Sequence, residues 1–241
     1  IFRHEPLATE SGEYIDYLSN HSVNWLIRTI AHNCLLVFMP GETWKNMRDG
    51  GRNAYANDGG QAKKWDWTVD TLTEWRAKRD QFERGNIVAF HDQPGFLYTA
   101  GDATAAYHPD KVKQWLREIV FLRPHTFVIL DRVTSAQAGY AKTWVLHGMN
   151  EPVLEGKTVT FQNGKGRLIV ESLLPESSRI AKIAGYTYGG RTFDEPRNAQ
   201  TPLAPKWRIE IQPASANETD LFLQVLFTDE PEPVSLLREG G

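Results

Sequence analysis

An all-β fold, a large antiparallel β-sandwich with long loops, is predicted for this 241-residue sequence by three observations. Short apolar runs recur with turn signals between them. Helical periodicity is weak along the chain. Aromatic residues reach 11%, and most of them suit the half-buried pleated surfaces of stacked sheets.

The elements follow in order. Residues 1–30 read as a lead-in, and only 14–30 could hold a helical turn or two. Strands are predicted at 34–39, 86–90, 95–99, 115–121, 126–132, 142–147, 158–162, 167–172, 207–212 and 220–228. Turns are signalled by Pro94-Gly95, by 135–139, by Asn163-Gly164 and by 213–217. The runs 159–161 and 168–170 around Asn163-Gly164 predict a hairpin. Residues 110–115 suggest a short helical turn, and 186–206, rich in Gly, Pro, Asn and Arg, a long loop over one sheet. A loop of that length is uncommon unless functional. Residues 1–241 are read as one sandwich domain. No fixed-period repeat supports a propeller or solenoid.

Composition narrows function. A net charge of -3 and the lack of a Lys/Arg cluster argue against a nucleic-acid partner. The apolar runs at 34–39 and 127–130 are too short to cross a bilayer, so no membrane partner is expected. No charged-then-apolar signal segment opens the sequence. The single cysteine, Cys34, excludes an intramolecular disulfide and reads as a buried small hydrophobe.

Three regions could carry chemistry. His32 stands at the mouth of the first apolar strand, where a satisfied structural histidine is the commoner outcome. Residues 44–60 carry Arg48, Asp49, Arg52, Asn53, Tyr55 and Asp58 between two Gly-Gly pairs. Glycine lets backbone approach a ligand, while Arg and Asn donate to carboxylate or sulfate. A solvated loop is the competing reading. The predicted strand 86–90 runs on into His91-Asp92. His32, Asp49 and His91 could together form a zinc-type site with one open position, although spacings of 17 and 42 residues match no short metal motif. No Gly-x-Ser-x-Gly elbow supports a serine nucleophile.

Across 20–150 the sequence resembles the C-terminal β-sandwich of heparinase II/III-like polysaccharide lyases. The resemblance rests on Gly85-Asn86-Ile87-Val88-Ala89-Phe90, on Tyr98-Thr99-Ala100-Gly101-Asp102 through Tyr107, on Arg117-Glu118-Ile119-Val120-Phe121-Leu122-Arg123-Pro124, on Phe127-Val128-Ile129-Leu130-Asp131-Arg132-Val133, and on Ala31-His32-Asn33 before a strand. It implies β-elimination on a uronic-acid glycan, heparan-like or alginate-like, and a periplasmic or secreted protein. It implies a structural zinc held by His32, Asp49 and a third ligand at His91 or at the Phe90 position. It implies an N-terminal (α/α) toroid as partner domain, of which this chain shows no trace in its periodicity. Relatives in the alginate-lyase branch carry a catalytic histidine two positions before the metal histidine, where this sequence has Ile30. That departure shifts acid/base duty to Tyr55, with Arg48, Arg52 and Asn53 binding substrate. Two rival readings are a non-catalytic carbohydrate-binding sandwich and a hydrolase using Asp49 and Asp58 as paired carboxylates.

Overall fold

A computed structural model describes residues 1–14, 16–43, 56–61, 69–195 and 205–228. Its strands are, in chain order, β1 (Phe2–Arg3), β2 (Glu5–Pro6), β3 (Leu35–Phe38), β4 (Asn86–Gln93), β5 (Phe96–Asp102), β6 (Val112–Leu122), β7 (Thr126–Ser135) and β8 (Ala141–Gly148). They continue with β9 (Val153–Glu155), β10 (Thr158–Asn163), β11 (Gly166–Leu174), β12 (Ser178–Ala184), β13 (Thr187–Tyr188), β14 (Arg191–Thr192), β15 (Trp207–Pro213) and β16 (Thr219–Phe227).

Two antiparallel sheets make the sandwich. The larger has eight strands in the order β4-β5-β6-β7-β16-β11-β10-β9, and the smaller has four in the order β12-β15-β8-β3. Alternation decides which side chains meet between them. From the large sheet Trp115, Val133, Phe222, Leu226, Val170, Leu168, Val159 and Phe161 face inward, and from the small sheet Leu35, Val37, Trp144, Leu146, Ile209 and Ile211. Burying a side chain such as Phe222 contributes about 1.5–3 kcal/mol.

The small sheet is covered on its other side as well. Val145 and Leu36 point away from the main core and pack with Trp25, Ile30, Ala31, Tyr186 and Phe193. Every residue of β8 after Ala141 is therefore buried. This second core explains why the lead-in folds. A π-helical turn at Ser22–Leu26 places Trp25, and a 3₁₀ turn at Thr29–Ala31 places Ile30.

One carboxylate lies between the layers. Asp131 on β7 accepts from the indole N–H of Trp115 at 2.7 Å and of Trp144 at 3.1 Å, and pairs with Arg117 at 2.8 and 3.0 Å. It is fully buried, yet each oxygen has two donors, as a charge removed from water requires.

Several expectations are corrected. The predicted turn at 110–115 gives way at Val112, where β6 already begins. The described part of the predicted loop, up to Glu195, forms the β13–β14 ribbon whose tyrosines pack on Trp25. Cys34 is half-buried rather than buried, beside the main core. Helices α1 (Leu72–Ala77) and α2 (Arg79–Phe82) were not anticipated, although Thr71-Leu72-Thr73-Glu74 is a capping-box sequence and Thr71 Oγ1 accepts from the Glu74 N–H at 3.1 Å.

Candidate functional site

The rim where β3 begins gathers the polar groups nearest to the sequence-derived site. His32 ends the 3₁₀ turn with extended backbone, and its side chain remains 44% exposed. Its Nδ1 is engaged by the Glu10 carboxylate, itself exposed, so the ring is oriented from the lead-in. Asn33 beside it ties three elements together. Its carbonyl accepts from Arg117 Nη1 at 2.8 Å, its Nδ2 donates to the Thr9 carbonyl at 3.1 Å, and its Oδ1 accepts from the His147 backbone N–H at 2.8 Å.

Behind His32 lies a second histidine, His147, that the sequence pattern does not single out. His147 on β8 is buried, edge-on to Trp25 at 6.4 Å, with Nδ1 3.3 Å from Asn33 Oδ1. Burial pushes its imidazole down to about 3, and the nearby Arg208 and His32 act in the same direction. It is a neutral ring at ordinary pH. Arg208, opposite it on β15, lies 5.4 Å over the Trp25 ring and donates to Glu210 at 2.7 Å.

Residues 44–55, and with them Arg48, Asp49, Arg52, Asn53 and Tyr55, lie outside the described residues. The flanks of that arm are described: Glu42 lies beyond the end of β3, and residues 56–61 run back along β3 to the turn that precedes His32. On the near side, Glu42 pairs with Lys111 at 2.6 Å, and Lys111 also donates to the Gly60 carbonyl at 2.7 Å. Both side chains are buried, and burial lowers the pKa of the Lys111 ammonium although Glu42 opposes it. On the far side, Ala56 N–H donates to Asn24 Oδ1 at 2.8 Å, and Asp58 pairs with Arg28 and accepts from the Ile30 N–H at 3.1 Å. The Val37 N–H then reaches the Gly59 carbonyl at 2.8 Å, and the Gln61 N–H reaches Thr29 Oγ1 at 2.8 Å.

The glycines have a reason here. Gly59 has φ +77°, a left-handed conformation that other residues adopt at a cost, and a Cβ on Gly60 would stand 2.4 Å from the Thr29 Cβ. The segment 58–60 can therefore lie flush against 28–30, only a few residues before His32. Asp58, offered at the sequence level as half of a carboxylate pair, is instead committed to Arg28 in the interior.

His91 is placed elsewhere. On β4 it pairs with Tyr98, whereas Phe90 pairs with Thr99, which pairs in turn with Ile119. Ile119 shares its face with Arg117, two residues away on β6, and Arg117 reaches Asn33. Phe90 thus points to the face of the large sheet that bears the small sheet, and His91 to the opposite face, beside Phe96 at 5.8 Å. A one-residue parity decides the matter. His32 and His91 are not brought together and do not fit one ion; among the described residues no group of three His, Cys, Asp or Glu could hold a metal.

On the outward face Tyr98 donates to Glu118 at 2.9 Å, and Arg132 pairs with the same carboxylate at 2.8 Å. Arg132 lowers the pKa of Glu118, while the Tyr98 hydroxyl is raised by its bond to Glu118.

No protein-family description and no curated protein matches the chain. Among solved structures, the chain is similar to a crystal structure of heparinase III, with 14% identity, a TM-score of 0.45, and coverage of 61% of this chain and 22% of that one. A second heparinase III matches at 12% identity and TM-score 0.46, over 60% of this chain and 21% of that one. The heparan sulfate lyase HepC from Pedobacter heparinus matches at 13% identity and TM-score 0.44, over 61% and 22%. The chain thus corresponds to about a fifth of the length of these structures.

Proposed function

We propose that this chain is the β-sandwich part of a polysaccharide lyase, one that cleaves a uronic-acid-containing glycan by β-elimination. The observation that carries the reading is the fastening of the arm. The flanks of the segment bearing Arg48, Arg52, Asn53 and Tyr55 are fixed by Lys111–Glu42, beyond the far end of β3, and by Asp58 with Arg28 and Ile30, close in sequence to His32. The blocks of sequence that carry the family resemblance supply further support. They fall on β4, β5, β6 and β7, four adjacent strands of one sheet.

The chemistry suits these residue types. The proton on the carbon α to a uronate carboxylate is weakly acidic, and N–H donors on that carboxylate stabilise the charge that develops as it leaves. Arg48, Arg52 and Asn53 are the donors in this reading. Tyr55 removes the proton and returns one to the departing glycosidic oxygen as the C4–O bond breaks and a C4–C5 double bond forms. A structural zinc, if the intact protein carries one, would draw on His32 and Asp49 and not on His91. A substrate of acidic polysaccharide, a toroid as companion domain and a periplasmic or secreted setting belong to the same proposal.

The test is direct. The full-length protein is incubated with heparan sulfate and with alginate, and the ultraviolet absorbance of unsaturated uronate is followed. Turnover that is lost in Tyr55→Phe and in Arg52→Ala supports the assignment. Unaltered turnover in both variants removes it. Binding of either glycan without any absorbance defeats the lyase reading in favour of a non-catalytic binding sandwich, and saturated new reducing ends favour a hydrolase.

A further inference from the structure

At the end of the sandwich where β7 turns into β8 and β15 into β16, the two layers are joined by charge rather than by apolar packing. Lys142 of the small sheet pairs with Asp220 of the large sheet at 3.0 Å, their side chains only 1% and 6% exposed. Alternation explains the meeting. Lys142 shares its face with Trp144, and Asp220 with Phe222, so both point between the layers. The Lys142 ammonium also donates to the Asn217 carbonyl, and Asp220 Oδ1 accepts from Asn217 Nδ2 at 3.0 Å.

A cavity of about 180 Å³ opens against this pair, between residues 138–142 and 212–217. At about 30 Å³ for a water in the liquid, it has room for about six waters. Part of its wall is apolar, from Tyr140, Pro213 and four alanines, with Tyr140 braced against the main core. The site is distant from the His32 rim. Ala141 pairs with Phe38, whereas His147, at the other end of β8, contacts Asn33. At about 3.3 Å per strand residue, the cavity and that rim are about 20 Å apart.

The hydrogen-bonding inventory says what fits. An ammonium donates three hydrogen bonds and a carboxylate accepts about four. Among the described residues, Lys142 and Asp220 each make two of these contacts. A buried ion pair is well held when its remaining positions are satisfied too. A carboxylate ligand would face Asp220 and an amine would face Lys142, each with the wrong charge. A hydroxyl both donates and accepts, and adds no charge to a pair that is already neutral. Two adjacent hydroxyls on one ring reach both members of the pair, while Tyr140 and Pro213 take the ring's apolar C–H face. We propose that this cavity binds one neutral sugar ring, held by two adjacent hydroxyls on Lys142 and Asp220, at a site separate from the His32 rim.

The test is a proton–nitrogen NMR titration of the full chain with D-glucose, D-galactose, D-mannose, D-glucuronate and glycine. At least one neutral hexose should shift the amides of 138–142 and 214–220 saturably, with a Kd of about 1–10 mM. Glucuronate and glycine should bind there about tenfold more weakly. Asn217→Ala, on an exposed loop, removes the group that orients Asp220 and should weaken the hexose about three- to tenfold. Lys142→Met together with Asp220→Leu replaces the pair by apolar bulk, a change that buried ion pairs tolerate, and should abolish the shifts. Should that double variant not fold, Asn217→Ala decides alone. Gln93→Ala, at the opposite end of the large sheet, should leave binding as it is. No saturable shift up to about 100 mM hexose, or shifts centred elsewhere, would overturn the proposal. So would glucuronate or glycine as tight as the best hexose, or undiminished binding in Asn217→Ala or in the folded double variant.

Discussion

Replacing His147 by Phe should flatten the acid limb of the stability curve. In the folded chain this imidazole is held at about 3, chiefly by burial, against an ordinary value of 6.5. Below pH 6.5 the unfolded chain binds a proton that the folded chain refuses. Stability is therefore complete above that pH and falls as pH drops toward 3. The slope is about 1.4 kcal/mol per pH unit for one such group, so at pH 5, 1.5 units below the ordinary value, the loss is about 2 kcal/mol. Phe keeps the ring against Trp25 but cannot take the proton. It also gives up the contact with Asn33, so the variant starts from a different stability at pH 7. The informative quantity is the change between pH 7 and pH 5, measured by urea unfolding of both proteins. The parent should lose about 2 kcal/mol more than the variant over that interval. Parallel curves would show that the buried imidazole does not set the acid response.

Three further outcomes follow from packing and charge. Lys111→Met leaves Glu42 buried without its cation and should cost about 3–5 kcal/mol by urea unfolding, with part restored by adding Glu42→Gln. Asp131→Ala strips the counter-charge from Arg117 and the acceptor from two indoles, and should cost about as much, visible also as a changed tryptophan near-ultraviolet signal. Gly148→Ala would place a Cβ 2.1 Å from the buried Phe161 ring; a loss of about 1–3 kcal/mol is expected, eased by Phe161→Leu in the same chain.

The large sheet was legible because its strands announce themselves locally. Asn163-Gly164 closes the β10–β11 hairpin with Gly164 at φ +51°, and β7 and β16 follow apolar runs that no helical period explains. The missed strands are those with weak local signals. β12 reads Ser-Arg-Ile-Ala-Lys-Ile-Ala, a guarded edge whose alternation is broken by alanines, and β9 is three residues long. The site was harder because its contacts are distant in sequence. Nothing in the neighbourhood of Glu10 points to His32, and nothing near Lys111 points to Glu42, 69 residues away. His91 shows the limit most clearly: identity and strand were readable, but the face depended on a bulge at Val88 and on a register set by β5.

The buried carboxylate of Asp131 has a consequence for how the molecule comes apart. Its ligands arrive from both layers, Trp115 and Arg117 from one and Trp144 from the other, and Arg117 continues to the carbonyl that precedes β3. Neither layer can slide or peel away without leaving an ionised group in a dry interior. Partial opening is thereby made as unfavourable as complete opening, and the two layers should melt in a single cooperative step.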